Sequence, residues 1–295
     1  MTDSQPPNST YHDSIQTEQE QYGDLRFQDL EGGIQFGVRY LNHILFSFFN
    51  YDFDYMLRMD DDYFFCIDQF LSELPVPMES MFHWGWTHCI TYAVRPEESM
   101  LLFSRDLLMH FLLQDPYQLK CHPWADQMIG AWAEDLKLRK IFRHDPRLHH
   151  TPIISKEPTL RTERNICQKY MGVHGCYAED MLLLWRNRGD HLTVDKNSKR
   201  NLKSSSKLCK DVSVFKWEKF IWRWRYKAKP CILKPSWNTT KQTLAGGAYT
   251  GRGELLEDSD DQYFEFKKFA FLFLLVTCFV FAAAFIRYAN CRRKL

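Results

Sequence analysis

The sequence predicts an α/β fold on three observations. The run Tyr55-Met56-Leu57-Arg58-Met59 is apolar and aromatic enough for a buried strand, and it delivers three consecutive carboxylates, Asp60, Asp61 and Asp62, at its carboxyl end. Segments with apolar residues at helical spacing alternate with runs of this kind. A chain of 295 residues, 45% hydrophobic and 16% aromatic, can bury the core of one large domain or two small ones.

In chain order, residues 1–21 are polar and rich in Gln, Ser and Thr, a composition that predicts a disordered N-terminal segment. From Tyr22 the pattern becomes globular. Apolar residues at 38, 41, 44, 45, 48 and 49 predict a helix over 37–49. The strand 55–59 follows, then a short helix over 67–74 ended by Pro75. Residues 95–106 read as an apolar strand that turns into a helix through Ser104-Arg105-Asp106, and helices are expected over 104–113 and 125–138. His174 is expected in a loop before another short helix. The stretch 196–206 is basic and polar and marks a loop or domain edge. The aromatic and basic segment 215–226 suits ring packing on the domain, a membrane interface or base stacking. Residues 236–265 form a polar stem.

Residues 269–286 are 18 consecutive uncharged residues, mostly Phe, Leu, Val and Ala. As a helix they span roughly 27 Å, close to the hydrocarbon thickness of a bilayer. Four basic residues follow, Arg287, Arg292, Arg293 and Lys294, against Lys267 and Lys268 before it, which puts the tail 287–295 in the cytoplasm and the long N-terminal part in the lumen. The tripeptides Asn8-Ser9-Thr10 and Asn238-Thr239-Thr240 are glycosylation acceptors that fit that side. Against it, residues 1–20 have no apolar h-region of a signal peptide or signal anchor. Two readings accommodate this: a tail-anchored cytosolic protein, or a chain whose N-terminus is incomplete.

The net charge of +1 argues against a nucleic-acid surface. Nine cysteines, at 66, 89, 121, 167, 176, 209, 231, 278 and 291, include no CxxC pair and suit scattered disulfides in an oxidising lumen. Seven precede the apolar segment, so at least one is unpaired there or bridges to another chain. Three like charges in a row repel, and a hard divalent cation with a preference for oxygen offsets that repulsion. The triplet therefore reads as a metal and diphosphate site, a solvated acidic loop being the commoner origin of such a run.

Downstream stand three further patterns: Ser99-Met100-Leu101-Leu102-Phe103-Ser104-Arg105-Asp106, His122-Pro123-Trp124-Ala125-Asp126, and Val173-His174-Gly175 before Met181 and Trp185. In this order and at these intervals the chain resembles glycosyltransferase family 31, the beta-1,3-galactosyl- and N-acetylglucosaminyltransferases, over about residues 18–190. The upstream Tyr22-Gly23-Asp24-Leu25 and Phe27-Gln28-Asp29 are similar to that family too.

The resemblance implies a GT-A type fold, a Golgi membrane location and Mn2+ as cofactor. It implies a UDP-sugar donor and a glycan or glycoprotein acceptor; a C-terminal helix in the lipid, read here from residues 269–286, is unusual for that family. Asp60, Asp61 and Asp62 would bind the donor diphosphate and its cation, with Asp62 and His174 as direct ligands. Asp126 would be the catalytic base that takes the acceptor proton. Read alone, an Asp before a helix is more often an N-cap and a loop His is more often polar surface.

Three departures stand out. Ala125 replaces the family's acid before the base. Glu97 and Glu98 replace a Gly-rich approach, which obstructs close contact with an acceptor. The family's first strands, with the Arg-rich segment that holds the nucleoside, have no counterpart before Tyr22, as expected of an N-terminally incomplete chain. A catalytically silent relative that binds glycans or assists a partner transferase is the rival reading.

Overall fold

The computed structural model describes residues 2–3, 12–28, 30, 35–90, 93–150, 158–189, 202–209, 228–235 and 237. The chain divides into two compact units after Gly253, and the second, Glu254–Leu295, lies wholly outside the described residues. The expected membrane segment 269–286, both glycosylation tripeptides, the aromatic segment 215–226 and all of the stem except Trp237 also lie outside them. Among the described residues no helix is long and apolar enough to cross a membrane.

The order of elements is mixed α/β. It runs β1 (Thr2–Asp3), α1 (His12–Tyr22), β2 (Phe27–Gln28), α2 (Phe36–Asn50), β3 (Tyr55–Met59), β4 (Tyr63–Phe65), α3 (Ile67–Glu73), β5 (His83–Ile90), β6 (Ala93–Ser104) and α4 (Arg105–Leu112). It continues through β7 (Lys120–Cys121), α5 (Ala125–Asp135), β8 (Arg143–His144), β9 (Leu148–His149), α6 (Ile166–Lys169), β10 (Gly172–His174), α7 (Ala178–Arg186), β11 (Lys203–Ser204), α8 (Ser205–Leu208) and β12 (Lys229–Pro230).

The largest sheet has the order β11-β8-β5-β6-β3 and is mixed: β5 pairs parallel with β8, and its other three pairings are antiparallel. A second sheet, β4-β10-β9, pairs β10 antiparallel with β4 and parallel with β9.

β6 explains why residues 99–104 read as a continuous apolar run. Side chains alternate across a strand, and here both faces are covered. Leu101 and Phe103 enter a core built with Tyr40 and Ile44 of α2, Leu107 and Phe111 of α4, and Met128, Ile129 and Trp132 of α5. Met100 and Leu102 enter a second core with Phe70, Phe82, Trp84 and Met171. α5 lies close against β6 because position 130 is glycine: a Cβ there would stand 3.1 Å from Arg95 Cβ.

Several expectations are met with small shifts. The helices α2, α3 and α4 fall within a residue or two of the spans expected. α5 stops at Asp135 rather than 138, since Lys137 takes a left-handed backbone (φ 59°) that ends a helix. His174 ends strand β10 instead of lying in a loop. His12–Tyr22 is helical despite its polar composition, although none of its residues is buried.

Three disulfides tie distant segments, Cys66–Cys167, Cys89–Cys209 and Cys121–Cys231, and Cys176 is free and buried.

Candidate metal centre

The acidic triplet forms the turn between β3 and β4. It is anchored at both ends: Asp60 N donates to Ser99 O on β6 at 3.0 Å, and Asp62 O accepts from Cys176 N at 2.8 Å. The antiparallel register of β4 with β10 places His174 opposite Tyr63. That register, and not sequence proximity, brings an imidazole over the carboxylates. Gly172 lets the two strands approach, because a Cβ there would fall 2.3 Å from the Tyr63 ring.

His174 Nε2 lies 3.3 Å from Asp62 Oδ1 and 3.9 Å from Asp60 Oδ2. One ligand atom from each of the three residues falls within 4.8 Å of the others. The other ring nitrogen, Nδ1, hydrogen-bonds His150 O at 2.8 Å. A ring that donates Nδ1–H to a carbonyl presents Nε2 as its ligating atom, the usual second hydrogen bond of a metal-binding imidazole. Two carboxylate oxygens and one imidazole nitrogen suit a first-row divalent ion such as manganese better than calcium.

The electrostatics fit a site that holds positive charge. The hydrogen bond from His174 holds the Asp62 carboxyl below its ordinary value, against the effect of burial. Burial alone would lower His174, but its bonds to Asp62 and to the His150 carbonyl outweigh it and push the imidazole up to about 9. Burial raises Asp60, partly offset by Arg58. Arg58 Nη2 sits 2.6 Å from Asp60 Oδ1, and its Nη1 donates to the carbonyl oxygen of Glu98.

The structure thus brings Asp60, Asp62 and His174 together. Asp61 is exposed and stands outside this set. Asp126 lies in the first turn of α5 and is not its N-cap, which is Trp124. Its carboxylate is buried, bridged through Oδ2 to Arg95 and through Oδ1 to the N–H of Gln127 at 2.6 Å.

Sequence reasoning missed Arg58, a charged residue inside an apolar strand two positions before the triplet, which was a readable signal. It also assigned no positive role to Glu98, whose Oε2 accepts the N–H of Ala125 at 2.9 Å. Next to it, Glu97 pairs with His88, and this contact holds its carboxyl below the ordinary value although burial works the other way. An apolar pocket of about 510 Å³, lined by Met59, Tyr63, Met181 and Trp185 among others, adjoins the triplet. Trp185 is 48% exposed, with the Arg188 guanidinium over its ring 3.9 Å from the centroid.

Fold and site together define an α/β protein in which two carboxylates and one imidazole cluster at the end of an edge strand, a group that could hold a metal ion. Beyond that class the comparisons add no relative: no model of a known protein family matches the chain, and no curated protein matches it.

Proposed function

We propose that the chain is an inverting hexosyltransferase with a GT-A type fold. It moves galactose or N-acetylglucosamine from a UDP-sugar to a glycan hydroxyl, in beta-1,3 linkage, as a step of protein glycosylation. The observation that carries this reading is the convergence of Asp60 and Asp62, neighbours in one turn, with His174, which stands far from them in sequence and meets them through the β4–β10 register. Asp62 and His174 hold Mn2+, with Asp60 beside them and Arg58 orienting Asp60. Bound there, the cation supplies Lewis-acid stabilisation of the negative charge that grows on the departing diphosphate. The apolar pocket, lined by Tyr63, Met181 and Trp185 among others, offers apolar surface against which a sugar can pack. A carboxylate beside the start of α5 takes the acceptor proton.

Three disulfides suit an oxidising compartment, in keeping with a lumenal domain 22–235, a stem 236–268 and a membrane helix 269–286 in the Golgi. A glycan on Asn238 would exclude a cytosolic location. The rival reading, a silent relative that binds glycans without turnover, draws on one observation: both oxygens of Asp126 are already engaged.

The test is a transfer assay on the full chain in detergent, with Mn2+, UDP-galactose or UDP-N-acetylglucosamine, and an array of glycan acceptors. Transfer of either sugar, abolished by chelation, is expected. Retention of glycans on the array with no transfer from either donor would instead establish the rival.

A further inference from the structure

We propose that Glu98, rather than Asp126, is the carboxylate that removes the acceptor proton. This rests on the transferase reading of the same site. A general base must offer a free lone pair toward the hydroxyl it deprotonates. Asp126 is poorly placed to do so: each of its oxygens already has a partner, Oδ1 the Gln127 N–H and Oδ2 Arg95, and the carboxylate is buried.

Glu98 is placed differently. Among the described residues its carboxylate makes one hydrogen bond, through Oε2 to the first N–H of α5, and Oε1 carries none. Its main chain is tied to the cation pocket: Arg58 donates to Glu98 O with one nitrogen and holds Asp60 with another. The carboxylate that the sequence lacks at Ala125 is therefore supplied to the same helix terminus from the adjacent strand.

The charged groups around Glu98 are Arg58 on β3, Asp60 in the following turn, Glu97 on its own strand, and the N-terminus of α5 with Asp126 and its partner Arg95. Burial pushes the Glu98 carboxyl up to about 7, helped by Glu97 and Asp60 and opposed by Arg58. A base is most effective when its own value lies near the working pH.

In the step, the acceptor oxygen bonds to the anomeric carbon as the bond from that carbon to the diphosphate oxygen breaks. The electron pair leaves with UDP, and the hydroxyl proton passes to Glu98, which later returns it to water.

The experiment measures hydrolysis of UDP-galactose and UDP-N-acetylglucosamine by the full chain with Mn2+, water serving as acceptor, from pH 5.5 to 8.5. UDP affinity is measured in parallel. With Mn2+ held saturating at every pH, the wild-type rate is expected to show an acid limb of up to about tenfold per pH unit. Glu98→Gln keeps an oxygen for the Ala125 N–H but cannot take a proton. It is expected to lower the rate on the order of 100-fold and to flatten the acid limb. Its Mn2+-dependent UDP affinity should stay within about threefold of the wild type, as fits a base rather than a donor-site ligand.

A Glu98→Gln variant with the wild-type rate and acid limb overturns the proposal. So does an Asp126→Asn variant, folded by circular dichroism, that alone loses the limb. A chain that binds UDP with Mn2+ and hydrolyses neither donor overturns it while the donor site stands. Absence of Mn2+-dependent UDP binding instead removes the transferase reading itself.

Discussion

Arg147→Met should destabilise the domain strongly at neutral pH and much less in acid. Arg147 donates two parallel bonds to Glu73, each 2.8 Å, and two more to Asp145 at 3.0 and 2.8 Å. The acceptor side chains are only 4% and 1% exposed, and Asp145 also accepts the indole N–H of Trp84 at 2.9 Å. Methionine fills the volume but leaves two buried carboxylates facing each other without a cation. Removing one partner from a buried charge network costs about 3–5 kcal/mol, out of about 5–15 kcal/mol for a whole domain. With a urea slope of about 2–3 kcal/mol/M, the midpoint should fall by more than about 1 M at pH 7.5.

The pH dependence has a definite sign. Without the guanidinium, two buried carboxylates stand close together with no cation between them, and taking up a proton relieves their repulsion. The penalty is then largest where both are ionised and shrinks as the pH falls. Near-UV circular dichroism of the full chain during urea unfolding, at pH 7.5 and 5.5, measures both midpoints. A loss under about 0.3 M at pH 7.5, or an equal loss at both pH values, would refute the reasoning. The same residue supports the site: Arg147 O accepts the N–H groups of Met171 and Gly172 at 2.9 and 3.3 Å, at the start of the strand that carries His174.

Gly172→Ala should cost about 1–3 kcal/mol and weaken Mn2+ binding, since the new methyl meets the Tyr63 ring and pushes β10 away from the acidic turn; thermal melting and metal titration on the one variant check both. His174, raised to about 9, holds a proton at neutral pH that a metal ion must displace, so Mn2+ affinity should fall as the pH drops from 8 to 6. Calorimetry in two buffers of different protonation enthalpy should count close to one proton released per ion; equal heats in the two buffers would sink this. Peptide mapping without reduction should find Cys66–Cys167, Cys89–Cys209 and Cys121–Cys231. Cys176 should react with an alkylating reagent only after denaturation, and labelling in the native state would contradict its buried position.

Much of the local structure was legible because single-segment patterns carry it. The run 55–59 and the triplet after it could be placed as strand and turn, because a solvated loop is not normally bracketed by Tyr-Met-Leu and Tyr-Phe-Phe. α2 could be placed from its apolar spacing. β5 could not: His83, Gly85, Thr87 and His88 interrupt any apolar run, yet the strand sits between β6 and β8 and needs no alternation of its own to be ordered there. The pairing of cysteines has no local signature at all.

At the site the balance is similar. Asp60 and Asp62 announce themselves by clustering, and His174 was found through the order of motifs. What joins them is a strand register, which is long-range information. Glu97 and Glu98 looked like obstacles in sequence, because only the β6–α5 contact shows that Glu98 meets the start of α5.

The central claim is a donor site built on Asp60, Asp62 and His174. Titration calorimetry of UDP into the full chain in detergent, with and without Mn2+ and beside an Asp62→Asn variant, tests it most directly. The account predicts binding that requires Mn2+ and falls at least about 10-fold in the variant, as for loss of a direct ligand. UDP binding that is indifferent to Mn2+ and to position 62, or no binding by a protein whose near-UV spectrum shows it folded, would contradict it.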